Sequence, residues 1–304
     1  MGSGIGEAEA RGAQTLGKFI PVMEVIEFAR DFIITAYRDG STLDDLSKKG
    51  EDHSLLTDFI LTHRKLWEHT MIDVGYDELS GYPKKREQTR NIILNQSLTD
   101  VTGKTKLLGE LLQSDFLINQ RNIGKFDEVL TRMDEKISEL RRGSIVHGDE
   151  NFTNIRVTPE KEWFMIDLNS VSIRSPYESI AKILMWLEAT TSNIESYQVL
   201  FSENDKKVVI NFSSSLTENV LKAITICRRE LVPFLDTKEE KSLIAAHIMT
   251  YFFRELQWLE KRGKKNLAPF LIVKALTFAS SLEGKDFPYP LSLFPDVGSA
   301  TVDY

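Results

Sequence analysis

One short stretch restricts this chain more than any other: residues 144–168, SIVHGDENFTNIRVTPEKEWFMIDL, in which His147, Asp149, Asn154 and Asp167 stand at fixed intervals. Residues 154–158 and 163–167 are rich in β-formers and flank Pro159, Glu160, Lys161 and Glu162, so they read as an antiparallel hairpin around a polar turn. That pairing predicts Asn154 opposite Asp167. An amide oxygen and a carboxylate would then converge on one point. Such a pair suits Mg²⁺, which takes a few protein oxygens and leaves its other positions to phosphate and water.

Asp149 lies in the loop that leads into this hairpin, where its carboxylate can accept the proton of an incoming hydroxyl while a metal holds phosphates. Positioning and charge neutralisation supply most of the catalysis in phosphoryl transfer, so one base and two metal ligands form a minimum set. An isolated H-x-D-x-x-x-x-N pattern is common, and a histidine such as His147 is more often a satisfied core residue than a catalytic one. The conjunction carries the reading: the apolar lead-in Ile145 and Val146, Gly148, a hairpin of suitable length, and an aspartate ending its second strand.

With 304 residues and 41% hydrophobic composition, the chain can bury a full core as one large domain or as two lobes sharing a cleft. Its single cysteine, Cys227, has no intramolecular partner and sits in a helical pattern, which fits a reducing compartment. Neither a signal-like start nor an apolar run of 18 residues occurs, so a cytoplasmic location without membrane contact is expected. The net charge of -7 argues against nucleic acid and favours a cationic small molecule over an anionic polymer.

Along the chain, residues 7–16 read as a helix, and 21–28 and 32–37 as a hairpin ended by Asp39 and Gly40. Ser41 and Thr42 open a capped helix. Residues 54–140 read mostly as helices, with the last pair between 106 and 142. Helices are expected again at 177–189, 217–235, 237–262 and 269–282. Thr102, Gly103, Lys104 and Thr105 imitate the end of a Walker A loop, but Leu98 stands where that motif needs glycine. The glycines at positions 2, 4 and 6 suggest either a flexible end or, less readily, a phosphate cradle before the first helix. Phe252, Phe253 and Trp258 read as core rather than a ligand platform, and Arg262, Lys264 and Lys265 as a solvated helix end.

On these motifs the sequence resembles the aminoglycoside phosphotransferase/choline kinase group, in which His-Gly-Asp takes the place of the protein kinases' His-Arg-Asp and an Ile-Asp-Leu segment carries the second metal ligand. The resemblance implies an α+β, protein-kinase-like two-lobed fold. It has a shortened N-lobe over residues 1–40 and a large helical C-lobe over 41–304 that contains the catalytic-loop hairpin. It also implies ATP and Mg²⁺, with Asp149 as base, Asn154 and Asp167 on the metal, and Thr35, Ala36 and Tyr37 facing the adenine. The acceptor would be a hydroxyl-bearing small molecule: an aminoglycoside, a choline-like amino alcohol or a sugar. The oligomeric state is left open.

Two departures stand out. The group usually has an aspartate at the place of Ser179, where it braces the catalytic loop, so the brace here must come from elsewhere or be weaker. The group's phosphate-covering loop and lysine strand have no room before Glu7, although Glu7 or Glu9 occupies the place of that lysine's partner. A kinase-fold binding protein with little transfer activity is the alternative that this second departure raises.

Overall fold

The computed structural model describes residues 4–51, 53–76, 79, 82–191, 193–204, 206–215, 217–261 and 268–285. Helix α1 (Ile5–Leu16) buries Ala10, Ala13 and Leu16, a stripe at three-residue spacing. It lies on the antiparallel hairpin of β1 (Val25–Phe28) and β2 (Ile33–Thr35). Gly4 and Gly6 at its start are packed against the hairpin, and Gly2 lies outside the described residues. A Cβ on Gly6 would stand 2.1 Å from the Phe32 carbonyl oxygen, and the Gly6 N–H donates to Arg30 at 3.1 Å. On the opposite side of α1, a Cβ on Gly12 would stand 2.0 Å from the Leu168 carbonyl oxygen. The helix is thus held between the hairpin and the segment that follows Asp167.

After the hairpin come β3 (Ser41–Thr42) and α2 (Leu43–Lys49), capped as the sequence suggests by Thr42, whose hydroxyl accepts the Asp45 N–H at 3.1 Å. Helix α3 (His53–Thr70), β4 (Ile72–Asp73) and α4 (Tyr82–Leu94) follow. The stretch expected to be a pair of helices instead holds strands and one helix. These are β5 (Ser97–Thr99), β6 (Thr105–Leu107), β7 (Asp115–Ile118) and β8 (Arg121–Lys125), then α5 (Phe126–Ser138). The Walker-like residues form the tip between β5 and β6. There the Asp100 carboxylate accepts the Thr102 and Lys104 N–H groups at 2.9 Å each, an Asx turn with no phosphate role.

The candidate stretch supplies β9 (Arg142–Val146), β10 (Ile155–Val157), β11 (Trp163–Met165) and β12 (Ser172–Arg174). Helix α6 (Pro176–Thr191) leads to two nine-residue strands, β13 (Asn193–Phe201) and β14 (Lys207–Ser215). These join β7 and β8 in a four-stranded mixed sheet of order β13-β14-β7-β8. No strand was expected there, and the pairing of β14 with β7 joins segments far apart in sequence. The chain ends in α7 (Glu218–Leu231), α8 (Lys238–Lys261) and α9 (Ala268–Thr277). Cys227 is buried on α7, and Phe252 and Phe253 are core residues of α8, whereas Trp258 is 44% exposed. Residues 262–265 lie outside the described residues. Among the described residues no helix is long and apolar enough to cross a membrane.

Two small sheets position the candidate site. Strand β10 lies between β11 and β3, and residues 21–23 run along β11 through Met23 N–H to Met165 at 2.9 Å. The hairpin rests on α3, where Trp163 Nε1 donates to Asp58 at 2.7 Å and its ring meets Phe59 edge-on. Strand β9 lies between β12 and β4 and delivers the chain to His147.

Candidate active site

The loop after β9 is built by short-range bonds. Gly148 has a φ of 81°, and a Cβ there would stand 2.7 Å from the Ser170 carbonyl oxygen, so both conformation and space demand glycine. His147 is fully buried. Its Nδ1 accepts the Asp149 N–H at 3.1 Å, leaving the hydrogen on Nε2, which donates to the Ile166 carbonyl at 2.9 Å. This histidine clamps the loop to the end of β11; it is the satisfied core residue rather than a reacting group.

Asn151 caps the 3-10 turn of residues 152–154. Its carbonyl oxygen accepts the Thr153 and Asn154 N–H groups at 3.1 Å, and its Nδ2 donates to Asp149 Oδ2 at 3.1 Å. Asn154 Nδ2 donates to the Asp149 backbone oxygen and to Oδ2, both at 3.0 Å. Asp149 and Asn154 are therefore in direct contact. The other carboxylate oxygen of Asp149 is ion-paired with Lys182 from α6. Burial alone would raise the Asp149 carboxyl, but the Lys182 ammonium and its hydrogen bond, helped by Asn154, outweigh it and hold the group below the usual carboxylate value.

Asn154 does not sit opposite Asp167. Ile155 pairs with Met165, and Ile166 N–H donates to Asn154 at 3.0 Å, so the register is one residue tighter than the sequence suggested. The cause is the turn. Thr158 N–H closes onto Glu162 at 2.8 Å, and Lys161 takes a left-handed φ of 65°, giving a three-residue loop where four residues were expected. Asp167 follows the paired residues and is itself left-handed, with φ 59° and ψ 56°, which turns it out of the strand. Asn169 Nδ2 donates to its carboxylate at 2.7 Å.

Glu9 of α1 faces Asp167. Burial raises the Glu9 carboxyl, and the Asp167 charge raises it further against the pull of the Leu168 and Asp167 backbone amides. Glu7 instead pairs with Arg11 near the surface. Glu9 and Asp167 repel each other, and the Asn154 NH₂ is spent on Asp149, so carboxylate oxygens and the Asn154 Oδ1 are the hard donors of this region. That donor set fits a hard divalent cation. Among the described residues no three His, Cys, Asp or Glu side chains form a metal cluster.

The brace that Ser179 lacks as an aspartate comes from the loop itself. Glu150 is fully buried, its Oε1 accepting the Gly148 N–H at 3.1 Å and the Ser179 hydroxyl at 2.6 Å. Thr35 ends β2, the Ala36 N–H donates to Glu24 at 3.0 Å, and Tyr37 is 88% exposed. No hydrogen bond or ion pair among the described residues joins these three to Asp149, Asn154 or Asp167; they belong to the strand-to-β3 connection on the N-terminal side.

Sequence reasoning missed Lys182 and Glu150. The signal for Lys182 was present: Glu178 and Lys182 are a polar pair four residues apart on a helix otherwise buried nearly all round, and such a pair must find partners.

No protein-family model and no curated protein matches the chain. Solved structures do. The chain is similar to the apo form of a thermostable mutant of the aminoglycoside phosphotransferase APH(4)-Ia, with a TM-score of 0.51 at 12% identity over 91% of this chain and 85% of that one. A ternary complex of that phosphotransferase with ADP and hygromycin B gives 0.51 at 13% identity, over 91% and 83%. The choline kinase LicA from Streptococcus pneumoniae gives 0.48 at 11% identity, over 90% and 80%. The first two establish the fold as protein-kinase-like, with helices and several sheets.

Proposed function

We propose that this chain is a small-molecule kinase related to the aminoglycoside phosphotransferase/choline kinase group, moving the γ-phosphoryl group of ATP to a hydroxyl of a small acceptor. Residues 1–40 would cover the nucleotide, with Thr35, Ala36 and Tyr37 on the adenine side, and the helical remainder would carry the chemistry. The observation that bears most weight is the Asp149 carboxylate: half-buried, held ionised by Lys182, and oriented by two asparagine amides. The ADP and hygromycin B held by the similar phosphotransferase support a nucleotide and a small molecule as the two substrates.

Asp149 Oδ2 already accepts two asparagine amides, but Oδ1 keeps a lone pair beyond its bond from Lys182, and the side chain is 30% exposed, so an acceptor O–H can donate to Oδ1. Asp149 would orient that hydroxyl for in-line attack and take its proton as the new bond forms. A depressed pKa makes Asp149 a weak base, which a loose transition state tolerates, because positioning counts for more than early proton removal. Asn154 and Asp167 would hold Mg²⁺, with Glu9 facing the same space. Bound there, the ion would neutralise charge developing on the phosphates.

The test is titration calorimetry with ATP, with and without Mg²⁺, alongside turnover of Asp149→Asn. Binding should require Mg²⁺ and vanish in Asp167→Ala. Asp149→Asn should keep nucleotide affinity and lose at least ~100-fold in turnover. Transfer at the parent rate in Asp149→Asn would end the base assignment, and ATP binding indifferent to Mg²⁺ and Asp167 would end the metal assignment.

A further inference from the structure

A groove runs between α4 and α8. Its inner end is lined by Thr89, Ile137, Glu178, Tyr251 and Arg254 and encloses about 30 Å³, room for little more than one polar group. Its outer part is lined by Gln88, Asn91, Arg254 and Gln257 and offers about 350 Å³, within the range of small-molecule sites. Arg254 belongs to both parts.

The charges are arranged by depth. The two carboxylates at the inner end are buried and already engaged. Asp134, 3% exposed, takes Arg86 Nε at 3.0 Å and Arg90 Nη1 at 3.3 Å. Glu178, 4% exposed, accepts the Tyr251 hydroxyl at 2.7 Å and stands 3.5 Å from Arg174 Nη1. Arg254 differs from them. It is half-buried, its guanidinium lies 5.6 Å from the centroid of the Tyr251 ring, and among the described residues no carboxylate pairs with it. A molecule entering the groove therefore meets a guanidinium and three amide side chains, while the negative groups are withdrawn behind them. A cationic acceptor would find no open carboxylate there.

Neither part of the groove is lined by Asp149 or Lys182, and the Tyr251 ring at the inner end is the link to them. Lys182 Nζ lies 5.1 Å from the centroid of the same Tyr251 ring and holds Asp149. On α6, Lys182 follows Glu178 by one helical turn, about 5.4 Å, so the groove floor and the Asp149 partner are neighbours on one helix face.

We propose that this groove binds the acceptor and that the acceptor carries a carboxylate or phosphate on a polyhydroxyl frame, its anionic group paired with Arg254. This rests on the phosphotransferase reading only for the word acceptor; the binding preference stands by itself. It runs against the direction suggested by the net charge, because a ligand responds to the groups it touches, and the acidic surplus lies elsewhere.

The experiment is titration calorimetry, without nucleotide, using four probes on one sugar frame: glucose, glucosamine, glucuronate and glucose 6-phosphate. At least one anionic probe should bind about tenfold or more tightly than glucose and glucosamine, as a charge-assisted bond lost or gained dictates. That preference should disappear in Arg254→Gln and persist in Arg254→Lys, and whichever anion wins separates carboxylate from phosphate recognition. Tightest binding of glucosamine, equal or absent binding of all four probes, or an anion preference that survives Arg254→Gln overturns the proposal. Anion preference in a protein that fails to bind Mg²⁺ and ATP would retire the kinase reading and leave this site standing.

Discussion

The loop of residues 147–154 and the four-stranded sheet are assembled on opposite principles. In the loop, almost every polar side chain bonds within five residues: His147 to Asp149, Asn151 to Asp149 and Thr153, Asn154 to Asp149. In the sheet, β7 takes its second neighbour from far along the chain, Phe116 beside Val208 and Ile118 beside Ile210. A loop bonded mainly within itself keeps its shape largely because its own sequence dictates it, and its amides fix the orientation of the Asp149 carboxylate. The sheet exists only once distant segments have met, so its hydrophobic contacts pay back a larger loss of chain entropy.

If this contrast is sound, damage to the two regions should be separable. The largest effect is expected from Ile210→Ala, because Ile210 is fully buried on a strand paired on both sides. Urea unfolding should show a loss of about 2–5 kcal/mol, with turnover of the folded fraction within about twofold of the parent. A large fall in turnover at unchanged stability would mean that the sheet shapes the site. Asn151→Ala should do the converse. Losing one turn cap costs about 1 kcal/mol, while a misaimed Asp149 should slow transfer by about 10- to 100-fold. A parent-like rate in that variant would show that the local bonds around Asp149 are dispensable for aiming it.

The same contrast explains what could be read from the sequence. The hairpin of residues 155–165, the capped start of α2 and the helices α6, α7 and α8 were legible because caps, periodicity and turn residues act over a few positions. The one-residue register error came from the turn: nothing in Pro159-Glu160-Lys161-Glu162 announces that Lys161 will go left-handed, and that choice moves Asp167 past its expected partner. Strands β7 and β8 were lost because short half-buried runs acquire strand identity from pairing, not from propensity, whereas the nine-residue β13 and β14 carried a readable signal in the β-branched run Val208, Val209 and Ile210. The brace was left unassigned for a related reason: Glu150 and Ser179 are far apart in sequence, and only the fold brings the two together.

Asp149 is where the two principles meet: its Oδ2 is held by local amides and its Oδ1 by Lys182, a residue from another element. Its carboxyl is pushed up by burial and brought below the usual value mainly by Lys182. A depressed folded-state pKa contributes stability that is present above the unfolded value, about 3.9, and is lost as pH falls through the lower folded value. The acid limb of kcat/KM should lie in that same low range. In Lys182→Met, burial is opposed only by His147 and the loop amides, so the limb should move to higher pH and the acid-side loss of stability should begin earlier. Lys182→Arg, which keeps the charge, should restore most of both. A limb that stays in place while the rate falls would assign Lys182 to the transferring phosphoryl group instead, and the loop would then be sufficient, by its local bonds, to set the ionisation of its own carboxylate.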